Sequence, residues 1–323
     1  MAGFKFGNKA NFGENSTLSG SFQYVFGSGN SNSADYTMVG GISNTVVSTG
    51  EEGFVWGSGN TVSGSHSAVI GKNNTVMAGG DFNLMAGLDG VIKGNDWNLM
   101  VGDENSSAHR GNFTWGRKNI NDTDEEGLGY QMVGGSGNTV SGANYGICVG
   151  DDNIAPSNFR GGLQFGRDGL APENTCGAIT TAAGKFTTNG DAQLTSHMVY
   201  RGQTTNNTAT VIYNMANSTN DWNLAANDSI LVKATVIGRK AGDAGQTAAY
   251  EVIATFKNQG GTTSIGTTGV TKRVLNEDTG TTNYDATLAA NDTLDTFELK
   301  VTGDTGHNVN WMANVEVLKL NVA

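Results

Sequence analysis

Residues 54–76 read FVWGSGNTVSGSHSAVIGKNNTV. Within that stretch FVWGSGNTV (54–62) and AVIGKNNTV (68–76) are one phrase written twice, 14 residues apart: an apolar triplet, a glycine, two small or polar residues, then Asn-Thr-Val. Outward from it the same phrase anchors on Gly27, Gly41, Gly57, Gly71, Gly87, Gly102, Gly116, Gly135, Gly150 and Gly166, with gaps of 14, 16, 14, 16, 15, 14, 19, 15 and 16 residues. That period is too short for helical repeats and marks a solenoid of stacked β-coils. Phe12-Gly13 begins an earlier, degenerate coil.

Three residues after each anchor stand Asn30, Asn44, Asn60, Asn74, Gly90, Asn105, Asn119, Asn138, Asn153 and Gly169. Asn and Gly share cheap access to left-handed backbone angles, so this column is expected to be a positive-φ turn. A ladder of stacked Asn amides, bonded coil to coil, is a second reason for it. Ahead of each anchor the triplets are YVF, MVG, FVW, AVI, LMA, LMV, FTW, MVG, ICV and LQF, preceded in every case by a small or polar residue. A strand with one buried face alternates apolar and polar side chains, and these do not. The middle residue of each triplet is read as facing one way and its two neighbours the other, so both faces need cover. One face then lines the coil interior and the other packs on neighbouring subunits around an axis. Stacking sets Asp103 and Glu104 beside Arg117 and Lys118, and Asp151 beside Arg167. About eleven coils would make a shaft of roughly 50 Å.

Pro156 and Pro172 each stand six residues after an anchor, and Pro172 closes the repeat. Residues 1–172 are therefore the β-roll shaft. From Glu173 to Gly190 the text is rich in Thr, Ala and Gly without a period, and is read as a neck or linker. Residues 191–323 carry alternating segments instead: Ile230, Val232, Ala234 and Val236; Tyr250, Val252, Ala254 and Phe256; Phe297, Leu299 and Val301; Val309, Trp311, Ala313 and Val315. These predict antiparallel strands with one wet face, in a β-sandwich of jelly-roll type. The fold class is all-β.

Composition excludes several functions. The 48 glycines follow no every-third-residue rule, so collagen is out. A net charge of −11 argues against a nucleic-acid partner and an anionic membrane, since phosphate binding is driven by Lys and Arg. No apolar run has the length of a signal peptide or a bilayer span, so no membrane insertion is expected. Cys148 and Cys176 lack disulfide-framework or metal-ligand spacing and read as free thiols.

No catalytic constellation, cofactor motif or metal motif is visible. His66, His109, His197 and His307 are scattered, and the chain reads as non-enzymatic. Asp122, Asp124, Glu125 and Glu126 crowd the longest coil, where clustered carboxylates on a loop suit a hard cation such as calcium as well as a solvated turn. Tyr200, Tyr213, Trp222 and Tyr284 are the candidate glycan- or receptor-binding aromatics, because ring faces stack on sugar rings.

The segments SHSAVIGKNNTV (65–76) and ANYGICVGDDN (143–153) resemble the head repeats of trimeric autotransporter adhesins of the YadA type, whose motif is an NSVAIG-like strand followed by a turn. The likeness covers residues 12–172 and implies a left-handed parallel β-roll of three intertwined subunits; many of that family's small residues are Phe, Trp, Tyr or Met here. Phage fibres and spikes use similar rolls without the signal peptide and membrane anchor of autotransporters. The C-terminal region, from GDAQLTSHMVYRGQTT to VTGDTGHNVNWMANVEVLKL, looks like a terminal domain recurrent in phage structural proteins. The resemblance implies a homotrimeric phage tail fibre or spike subunit, located in the virion and contacting other virion and tail proteins. Its partner on the host is a cell-surface glycan or protein. A capsid fibre or decoration subunit and a glycan-degrading tailspike enzyme are the alternatives.

Overall fold

The computed structural model describes residues 9–48, 51–93, 96–108, 110–121, 130–141, 146–156, 159–173, 175–214, 222–242 and 246–321, with no helix among them. The acidic residues Asp122, Asp124, Glu125 and Glu126, and His109, lie outside the described residues. The chain forms two compact units, Met1–Asp151 and Asp152–Ala323.

In the first unit each coil contributes a long and a short strand. The long ones, such as Phe54–Ser58, Ala68–Lys72, Leu84–Leu88 and Leu99–Asp103, pair in parallel with no register shift, so that Gly57, Gly71, Gly87 and Gly102 stack on one another. Short strands such as Thr61–Val62, Thr75–Val76 and Val91–Ile92 stack the same way on the other side of the coil. The early strand Lys9–Phe12 pairs in register with Gln23–Ser28, which makes it the expected first coil. Between the two strand columns lies a narrow core of Val25, Val39, Val55 and Val69 facing Val46, Val62, Val76 and Ile92, all fully buried. The middle residue of the triplet thus points inward. Its neighbours, Met38, Phe54, Trp56, Ile70, Leu84 and Val101 among them, are exposed on the outward face.

From Gly27 to Gly135 the anchor column admits only glycine. Its φ runs from +98° at Gly27 to +158° at Gly87, and a Cβ there would strike the carbonyl oxygen of the next anchor.

The Asn column is not the positive-φ turn its composition suggested. Left-handed angles fall one residue earlier, at Ser43, Asn73, Asp89, Glu104, Lys118 and Asp152 as well as Gly29, Gly59 and Gly137. The Asn side chains are retained for the second reason. Asn60 Nδ2 donates to Asn44 Oδ1 at 2.9 Å and to the Gly71 carbonyl at 3.0 Å, while Asn60 Oδ1 accepts from the N and Nδ2 of Asn74. Where Gly90 interrupts the ladder, the thioethers of Met85 and Met100 occupy the space an amide would fill; a Cβ on Gly90 would lie 3.4 and 3.1 Å from their sulfurs. Arg117 reaches Asp103 at 3.4 Å and Lys118 reaches Glu104 at 3.4 Å, the expected coil-to-coil pairs.

The second unit begins with coil strands and turns into an antiparallel sheet. Leu163–Arg167 pairs in parallel with Ile179–Ala183, a strand inside the stretch read as a neck. Ile179–Ala183 then pairs antiparallel with Ala192–Thr204, which pairs with Val309–Asn321, which pairs with Asp228–Lys240, which pairs with Thr247–Asn258. Asp285–Asn291, Thr296–Thr302 and Thr210–Ile212 form a separate three-stranded sheet. Ile230, Val232, Ala234, Val236, Tyr250, Val252, Phe256, Leu299, Val301, Trp311 and Val315 are all buried, as their alternation predicted. The face expected to be wet is not uniformly polar. Leu194, Leu231, Ile237, Met312, Leu318 and Leu320 are exposed on it.

Candidate functional site

The period-2 geometry of a strand decides the fate of the C-terminal aromatics. Tyr200 follows Met198 on the buried face of Ala192–Thr204 and packs near Phe297, with ring centroids 6.3 Å apart. Tyr284 turns inward against Trp311, and its hydroxyl lies 3.0 Å from His307 Nδ1. Trp222 is buried at the wall of a hollow of about 290 Å³ that Pro156, Leu170, Pro172 and Glu173 also line. Tyr213 alone of the four is partly exposed. Three of the four rings therefore belong to the core and present no face to a sugar.

A second aromatic set, which sequence reading did not single out, is exposed. Five residues before successive anchors stand Phe22, Tyr36, Glu52, His66, Phe82 and Trp97, at a corner of the coil, each with φ between +53° and +64°. The backbone is held there by coil-to-coil bonds: Tyr36 N donates to Ser21 O at 2.9 Å, His66 N to Glu51 O at 2.8 Å, Phe82 N to Ser65 O at 3.1 Å and Trp97 N to Asp81 O at 3.1 Å. Coil spacing brings the rings onto one another. Phe22 stacks on Tyr36 at 4.9 Å, His66 on Phe82 at 4.6 Å and Phe82 on Trp97 at 4.8 Å, with planes within 16° of parallel. Between the two stacks Glu52 pairs with His66 Nε2 at 3.0 Å.

Tyr36 is 58% exposed and Trp97 65%. Carboxylates stand one residue earlier in four of these six coils, at Asp35, Glu51, Asp81 and Asp96; Asp81 Oδ1 accepts from Ser65 N and Asp96 Oδ1 from Asp81 N, both at 2.9 Å. Rings with hydrogen-bond acceptors beside them suit a ligand with apolar C–H faces and hydroxyl donors. Two signals for this corner exist in the sequence, the aromatic residues and their equal distance from the anchors. They were masked because the column also holds Glu52, His66 and Gly111.

The outward strand face carries rings too, lying flat. The Trp56 ring covers Gly40 of the preceding coil, and the Trp115 ring covers Gly134 of the following one, where a Cβ would collide with the indole. Phe26 and Phe54 border Trp56 at 6.4 and 6.3 Å. Among the described residues no three His, Cys, Asp or Glu side chains gather as a metal-holding group.

No family model and no curated protein matches the chain. Solved structures do align with it. The tailspike protein of Acinetobacter phage vB_ApiP_P1 aligns at 8% identity over 98% of this chain and 81% of its own, with a TM-score of 0.19. The tailspike of Acinetobacter baumannii phage AM24 aligns at 9% identity over 93% and 66%, with a TM-score of 0.26. A third, from Acinetobacter baumannii bacteriophage Fri1, aligns at 9% identity over 96% and 71%, with a TM-score of 0.23, and is described as a capsular polysaccharide depolymerase.

The non-enzymatic reading of the sequence conflicts with that description and is withdrawn, because its own ground fails. The reading rested on finding no catalytic residues close together in the text. In a solenoid, side chains from coils 14–19 residues apart become neighbours by stacking, so linear spacing has no power to exclude a catalytic pair.

Proposed function

We propose that the chain is a subunit of a phage tail spike that attaches the virion to polysaccharide on the host surface, and that it works as a homotrimer. The virion setting is taken from the tailspikes aligned above. The observation that carries attachment is the aromatic corner. A left-handed angle costs a non-glycine residue on the order of 1 kcal/mol, and ring stacking returns about 0.5–1.5 kcal/mol. Glycine fills the same corner without strain at Gly111 and Gly161. Rings at Phe22, Tyr36, Phe82 and Trp97 thus bring little net stability, and their use is recognition. Glycan rings lie along the edge, and the flanking carboxylates of Asp81 and Asp96 accept from sugar hydroxyls.

Assembly follows from the outward face. Met38, Phe54, Trp56, Ile70, Leu84 and Val101 are exposed in one copy and make a continuous apolar strip of the kind that marks an interface. Other copies of the chain cover it.

Two measurements test the proposal. Light scattering on the purified protein is expected to give a trimer, and a monomer refutes the assembly. Polysaccharide from host cells is expected to bind the wild-type protein and to lose at least tenfold in affinity, about 1.4 kcal/mol, for Phe82→Ser combined with Trp97→Ser. Equal binding by both proteins refutes the corner as the attachment site.

A further inference from the structure

Within the second unit one row of side chains crosses five strands. The registers place Phe165 opposite Thr181, Thr181 opposite Leu194, Leu194 opposite Leu318 and Leu318 opposite Leu231. Residues paired across a sheet share a face, so all five project from the same side. That side is exposed: Leu318 is 53% accessible, Leu194 and Leu231 40% each, and Phe165 38%. Phe165 immediately precedes its anchor, the position held in earlier coils by Trp56, Ile70 and Val101. Within this unit the outward side of the coil strands Leu163–Arg167 and Ile179–Ala183 therefore passes into the antiparallel sheet without changing face, although the strands change from parallel to antiparallel. Beside the row, Thr181, Phe186, Leu194, Leu318 and Leu320 line an open trough of about 500 Å³.

We infer that this row is a contact between copies of the chain, so that the C-terminal sheet is clamped to its neighbours through Leu194, Leu231 and Leu318. The inference rests on the assembly reading above and extends it from the coils to the antiparallel sheet. Continuity identifies the occupant. A cover must present apolar side chains at strand spacing, in line with a row that begins on the coil strand Leu163–Arg167, and a second copy carries the same row at the same spacing.

Charge points the same way. Two copies of a chain with net charge −11 repel unless the meeting faces are neutral. Alongside the leucine row, on the same face, Lys233 pairs with Glu251 at 3.1 Å and Arg273 with Glu251 at 3.3 Å, while Glu316 stands opposite Lys233. With Lys257, on the same face of Thr247–Asn258, the patch holds three cations and two anions and none of the chain's excess negative charge.

The test uses the purified full-length chain with Cys176→Ser, since Cys176 is exposed and Cys148 is buried. Single cysteines are introduced as Leu318→Cys, as Leu231→Cys and, on the coils, as Ile70→Cys, and each variant is treated with a flexible bismaleimide. Conversion of most of the single-chain band to linked pairs is expected for all three. Linking at Ile70→Cys with neither C-terminal variant linked, while both elute at the wild-type volume, overturns the inference and leaves the assembly reading intact. No linking at any position, together with monomeric scattering, removes both. Using two C-terminal sites keeps the outcome interpretable if one substitution disturbs folding.

Discussion

Asn44 Oδ1 accepts two hydrogen bonds from Asn60, one from its backbone N at 3.1 Å and one from its Nδ2 at 2.9 Å. Each ladder amide in this run therefore satisfies a main-chain group of the next coil as well as its side chain, and the side chains are fully buried. The ladder adds these side-chain bonds to the backbone bonds of the paired strands and so reinforces the register between coils.

Removing one rung tests this. Asn60→Ala leaves the Asn74 amide N without its acceptor and the Gly71 carbonyl without its Nδ2 donor. Buried unsatisfied groups of this kind cost about 1–3 kcal/mol each, so a loss of roughly 2–4 kcal/mol is expected. Denaturant melts at one fixed protein concentration check it, since assembly links stability to concentration.

The break at Gly90 makes a compensation test. Gly90→Asn alone forces an amide against Met85 and Met100 and is expected to cost about 1–3 kcal/mol by overpacking. Combined with Met85→Val and Met100→Val, the residues of neighbouring coils, it is expected to recover at least about 1 kcal/mol as a non-additive term. A thermal-melt cycle over these variants measures that coupling, and strict additivity would contradict the packing account.

Acid sensitivity should centre on Asp191. Burial acts to raise its pKa, but its carboxylate accepts from the backbone N of Phe186, Thr187 and Thr188 and from the Thr187 hydroxyl, and these hold it below the ordinary value. The folded form binds a proton less readily than the unfolded chain. Its contribution is therefore present above the unfolded pKa of about 3.9 and is lost as pH falls through the lower folded value. Asp191→Asn is expected to lower the melting temperature at pH 7 and to flatten the stability loss below about pH 4. Melts at a series of pH values give both slopes.

The two cysteines should differ sharply in reactivity. Burial in the coil interior pushes the Cys148 thiol up to about 12, whereas Cys176 is exposed. Thiolate is the reactive form, so at pH 8 iodoacetamide is expected to label Cys148 roughly a thousandfold more slowly than an ordinary thiol. Mass spectrometry of timed digests reads both rates. Fast labelling of Cys148 in the folded protein would place it outside the core.

Much of the fold was legible because stacking writes columns into the text. The glycine anchors, the inward valines and the C-terminal alternation each repeat one side-chain type at one interval. Less could be read where a column is defined by backbone angle alone. The left-handed position two residues after the anchor holds Ser43, Asn73, Glu104 and Lys118, with no common side chain, so the adjacent Asn column attracted the assignment. Parity along Ala192–Thr204 would have buried Tyr200 had the strand been recognised, but its Thr, Ser and Gln residues hid the alternation. The aromatic corner lies outside the strands, where period gives no cue. The Leu194–Leu318–Leu231 row joins residues 124 and 87 positions apart in the sequence, and only strand order brings them together.

Zero register offset between anchors has an evolutionary corollary. Every junction from Gly27 to Gly150 is the same joint, so a block of 14–16 residues can be duplicated or deleted between any two of them and the cut ends will fit. Reach can thus be lengthened or shortened in increments of one strand spacing, about 4.8 Å, without redesigning either terminus. Such a cassette-built ruler tolerates recombination, and the 19-residue coil between Gly116 and Gly135 is what one enlarged cassette looks like.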